Sequence, residues 1–107
     1  MAFKVLFIAH APDADKYEHR SSINTGMYHL YTVVLKNQEE ALEISREFVE
    51  NFSIDCVLLC PGFTNKNVAE ISSVVGENVA VAVSRGDGPG NKTTLAARKR
   101  EGYPPRK

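Results

Sequence analysis

Residues 3–11, FKVLFIAHA, form an unbroken apolar run of strand-forming residues that Pro12 and Asp13 halt. A run apolar on both faces suits the central strand of a parallel sheet, where helices cover what water would otherwise touch. Three more strands are expected. YHLYTVVLK at 28–36 is rich in Tyr, Thr and Val, the residues that fit a pleated surface. DCVLLC at 55–60 and NVAVAVSR at 78–85 complete the set.

Helical patterns separate these runs. Asn37 can cap a helix, and Glu40 stands at the third position beyond it. Ala41, Ile44, Phe48 and Phe52 then recur at helical spacing, while Glu39, Glu43, Glu47 and Glu50 make the opposite, solvated face. Thr64 or Asn65 opens a second helix through Val68, Ile71 and Val75, with Gly76 as its stop. Asp15 and Glu18 have capping-box spacing, so residues 13–23 read as a short helix before the turn residues Asn24-Thr25-Gly26. The resulting order, β-(α)-β-α-β-α-β, predicts an α/β domain: a small, four-stranded, mostly parallel sheet flanked by two or three helices through right-handed crossovers. So few helices leave sheet edges or a face under-covered, which predicts a homo-oligomer, dimer or larger.

The domain is expected to span residues 1–88. From Gly86 the chain turns to glycine, charge and Pro-Pro, and residues 89–107 read as a basic, flexible tail with a helical turn at 94–100. The last seventeen residues hold six Lys or Arg against Glu101 alone, after a body with seven basic and twelve acidic residues. The tail is the one segment that would touch nucleic acid, and docking on an acidic surface or disorder suits it better. Membrane insertion is not expected, since no apolar run approaches ~18–20 residues. The start lacks a basic leader region, and Cys56 and Cys60 would stand roughly 13 Å apart on one strand, beyond disulfide reach. Two reduced thiols in a cytoplasmic protein are the expectation.

Open parallel sheets bind ligands beyond the carboxyl ends of their strands. The first strand brings His10 and Asp13 there, with His19 and Arg20 in its connection. The third brings Cys60, Gly62, Thr64 and Asn65, and the last brings Arg85. If those strands are neighbours and run the same way, an imidazole, a thiol and a guanidinium share one rim. Gly62 would let the chain turn sharply. The N–H groups opening the next helix would face an anion, and Arg20 and Arg85 would hold it. His10, His19 or Cys60 would supply proton or nucleophile chemistry. His10, His19 and Cys60 match no familiar zinc spacing, no metal is expected, and no cofactor is indicated: neither a Walker loop nor G-x-G-x-x-G is present.

The elements FIAHAPDAD, HRSSI, the segment 31–63 and VAVAVSR together resemble a family of short prokaryotic proteins known only as a domain of unknown function, over residues 3–87. The family's A-P-x-A-D, H-R, C-x-G-F and final arginine fall at Ala11 to Asp15, at His19 and Arg20, at Cys60, Gly62 and Phe63, and at Arg85. Pro61 stands where a second glycine is usual. The resemblance implies the fold and the position of a site and no reaction. The functional expectation is therefore a small anionic metabolite bound at the strand ends, with enzymatic activity open. The alternative is a non-catalytic oligomerisation or regulatory module whose rim is filled by a partner subunit or by the tail.

Overall fold

The computed structural model describes residues 2–84 and 90–104. Its elements are β1 (Phe3–His10), β2 (Arg20–Asn24), β3 (Tyr28–Leu35), α1 (Gln38–Phe52), β4 (Cys56–Leu59), α2 (Asn65–Val75), β5 (Ala80–Val83) and α3 (Asn91–Arg100). One five-stranded sheet runs in the order β2-β3-β1-β4-β5. β1 pairs in parallel with β3 and β4, and β4 with β5. The fold is α/β with a mostly parallel sheet, and the unbroken apolar run does form its central strand.

The sheet has five strands rather than four, and the extra one replaces the helix expected at 13–23. Asp15 behaves as a cap should: its carboxylate accepts the N–H groups of Tyr17 at 2.8 Å and Glu18 at 3.3 Å. The turn then stops, because Val34 N–H donates to the carbonyl of His19 and draws the chain onto the free edge of β3. β2 follows as an antiparallel edge strand, with Ser22 opposite Tyr31 and Ile23 opposite Leu30. A lone polar helix there would leave that edge unpaired.

The helices start and stop where local chemistry dictates. The Asn37 side chain accepts Glu40 N–H, and the Glu40 carboxylate reaches back to Lys36 N–H. Thr64 caps α2 by accepting Asn67 N–H, and Gly76 ends it at φ 88, a value that favours glycine. Both helices lie on one face of the sheet. Ala41, Ile44 and Phe48 of α1 and Ile71 and Val75 of α2 pack in one cluster with Leu6, Ile8, Val33, Leu35, Val57 and Leu59. The crossovers thus form two layers and leave the other sheet face turned away from both helices.

The segment read as a tail carries α3, longer than the turn expected at 94–100. It buries no residue, and its last turn holds Arg98, Lys99 and Arg100. Tyr103 N–H returns to the Arg98 carbonyl, and the Arg98 guanidinium lies over the Tyr103 ring at 4.5 Å. Among the described residues no helix is long and apolar enough to cross a membrane.

Candidate functional site

β1 and β4 run side by side in the same direction, so the ends marked by His10 and Cys60 meet at one edge of the sheet. The turn after β4 is held by Cys60 N–H on the Ile8 carbonyl at 3.0 Å and by Phe63 N–H on the Cys60 carbonyl at 3.3 Å. Phe63 is buried, and the His10 ring stacks on it with centroids 4.0 Å apart. Gly62 lies between the two reactive side chains. A Cβ there would stand 3.6 Å from both Cys60 Sγ and His10 Nδ1. Its backbone does not adopt positive φ. The glycine therefore contributes open space beside the imidazole rather than a left-handed turn.

This arrangement floors a cavity of about 410 Å³. The amino-terminal ends of two helices border it, through Asn37 and Gln38 of α1 and through Thr64 and Asn67 of α2. Lys36, His10, Arg98 and Tyr103 complete the wall, and no carboxylate among the described residues lines it. The first N–H groups of a helix have no partner within it and carry partial positive charge. The first turn of α2 holds no acidic residue to answer that charge, whereas α1 has Glu39 and Glu40 in its own. A second cavity, of about 350 Å³, shares His10, Gly62, Arg98 and Tyr103 and adds Cys60, Thr94 and Glu101.

His10 is the most perturbed group in this region. Burial holds its pKa below the ordinary histidine value, and the nearby Arg98 charge lowers it further. Nε2 is buried without a hydrogen-bond partner. At neutral pH the ring is uncharged and has an unused polar atom, the state a proton acceptor or neutral donor requires. The depressed pKa also fixes a pH dependence. The unfolded chain takes up its proton near pH 6.5 while the folded chain does not, so His10 lowers stability as pH falls below that value. The loss levels off once pH passes the folded pKa. Urea unfolding between about pH 5 and about pH 7.5 is expected to show a shallower acid-side loss for His10→Gln than for the native chain.

The other residues expected at the rim divide. Cys60, Gly62 and Thr64 are present there. Asn65 is the exposed first residue of α2 and lines neither cavity. Asp13 is exposed in the turn after β1. His19 is taken up by its own turn, where Nδ1 accepts Asp15 N–H at 2.8 Å. Arg20 opens β2 on the helix-covered face: Nε donates to the Lys16 carbonyl and the guanidinium lies 5.4 Å over the Phe48 ring. Neither His19 nor Arg20 lines the rim cavities. Arg85 falls outside the described residues. Lys36 and Arg98 were missed by sequence reasoning. Lys36 sits one residue before a cap, a position that borders the carboxyl end of a neighbouring strand by geometry alone. Arg98 had no signal, since nothing in the sequence says where the last segment returns. Among the described residues no group of three or more His, Cys, Asp or Glu side chains gathers as a metal site would require.

A family model of unknown function, DUF6506, matches residues 3–97. The chain belongs to that family. The match covers the sheet, both packed helices and α3 as far as Ala97, and it ends one residue before Arg98. No curated protein and no solved structure matches the chain.

Proposed function

We propose that this family member binds a small anion of metabolite size in the cavity at the carboxyl ends of β1, β3 and β4. The observation that carries the reading is the lining: Arg98, Lys36 and two helix amino termini around a cavity with no described carboxylate. Arg98 would offer a planar pair of donors suited to a carboxylate or phosphate, Lys36 a second cation, and the partial positive charge at the start of α2 would add to both. The neutral His10 ring, with Gly62 leaving space beside it, is the group placed to pass a proton to or from a bound molecule. Cys60 flanks Gly62 on the other side, as the candidate nucleophile should the site perform covalent chemistry.

The placement of α3 favours a second reading. Arg98 and Tyr103 form a wall of the cavity from a segment that buries no residue of its own helix. In a non-catalytic module, α3 would be the rim's natural occupant and would close it in place of a ligand. Amide NMR separates the two. Titration with inorganic phosphate, pyrophosphate and citrate is expected to shift the Gly62, Thr64 and Asn67 amides saturably with at least one anion. Shifts confined to exposed lysines, or none at millimolar anion, would leave α3 as the occupant.

A further inference from the structure

We infer that the sheet face turned away from α1 and α2 is covered by the same face of a second copy of this chain. Register places Phe3, Val5 and Phe7 of β1 on that face, level with Tyr28, Leu30 and Thr32 of β3. Cys56 and Leu58 of β4 continue it, then Ala80 and Ala82 of β5, while Ile23 of β2 extends the far side. None of the strand residues that register assigns to this face is charged. Sheets with one solvated face alternate apolar and polar residues, and this one does not. Three of the exposed large apolar side chains of the molecule lie here: Ile23 at 62%, Phe3 at 51% and Tyr28 at 38% exposure. Phe3 and Tyr28 also approach each other with ring centroids 5.8 Å apart, which makes a continuous apolar surface.

Area and charge identify the occupant. Strand spacing and rise give this face a flat footprint of roughly 500 Å², and more as accessible surface. Two copies together then reach the ~1,000–1,200 Å² at which specific interfaces begin. A two-fold interface brings a patch against itself, so a charged patch would repel its copy and a neutral apolar one does not. The absence of basic residues removes the attraction an anionic lipid surface would need. Residues 85–89 and 105–107 are glycine, proline and charged residues and offer no large apolar side chain to such a face. Sheets packed this way stand ~10 Å apart with interleaved side chains, which forms a sandwich with helices on both outer surfaces.

Light scattering coupled to size exclusion tests the inference on the intact chain. The native protein is expected to elute at twice its 11.8 kDa mass. The double variant Ile23→Lys, Phe3→Lys is expected to elute as a folded monomer, with self-association weakened at least tenfold. Leu95→Lys on α3, equally apolar and exposed, should remain dimeric. A native chain that stays monomeric from micromolar to millimolar concentration overturns the inference, and so does a folded double variant that still dimerises. If the double variant does not fold, the native chain still decides: its Leu30 and Leu58 methyl groups should be shielded from a soluble paramagnetic agent, and their ready relaxation would refute the sandwich.

Discussion

Leu6→Ala is expected to destabilise the domain by about 2–5 kcal/mol, the range for removing a large aliphatic side chain from a packed core. Leu6 is fully buried at the middle of β1, and register sets it between Tyr31 of β3 and Val57 of β4. Helix α1 closes the space above with Ala41, Ile44 and Phe48. Three neighbouring backbones in a ladder cannot close around the missing atoms, so the cavity persists and its cost adds to the lost transfer energy. Against a total of about 5–15 kcal/mol for a domain of this size, the change removes a large share of stability. Urea unfolding should show an earlier midpoint with an unchanged slope. Leu95→Ala offers the contrast: Leu95 is 42% exposed on a helix that buries nothing, and its loss should stay within about 0.5 kcal/mol. Equal effects at the two positions would mean that the sheet is not packed as described.

The parts of the fold legible in the sequence were those where one physical signal had no rival. The run at 3–11 read as a central strand, and β1 is the central strand, with Leu6 and Ile8 buried under the helices. Asn37 and Thr64 are caps because the helices they open have apolar stripes deep enough to be held by packing, and both side chains accept the expected N–H groups. β2 was missed because Arg20-Ser21-Ser22-Ile23-Asn24 has little strand propensity; its pairing comes from the free edge of β3, which local sequence does not reveal. Asp15 added to the misreading, since the same two acceptor bonds serve a short turn as well as a helix start. The site shows the same division. His10, Cys60 and Gly62 follow from strand direction and are brought together. Arg20 was assigned to the rim because a helical connection would carry it there, and the unexpected strand takes it to the α1 face instead. Arg98 was legible as charge but not as place, because α3 lacks the apolar stripe that would announce docking.

That contrast between the two arginines yields the strongest functional prediction. Arg98→Glu is expected to weaken anion binding at the cavity by roughly ten- to a hundredfold or more, while Arg20→Gln leaves it unchanged. A hydrogen bond to a charged group contributes about 1.5–3 kcal/mol, which converts to that range. Reversal of the charge adds repulsion to the lost bond. Arg98 borders both rim cavities, and its charge already depresses the His10 pKa, so the guanidinium acts on the imidazole across the space a ligand would share. Arg98→Glu should therefore also raise the His10 pKa, a shift that NMR titration of the ring reads without any ligand. Arg20, by contrast, is engaged with the Lys16 carbonyl, stands 4.0 Å from a Glu47 oxygen and faces Phe48. Its loss should register in stability alone. Arg98→Lys keeps the charge but not the planar pair of donors, and should fall between the native chain and the reversal. Phosphate, pyrophosphate or citrate binding that survives Arg98→Glu and fails in Arg20→Gln would place the anion on the α1 face and end the case for the rim.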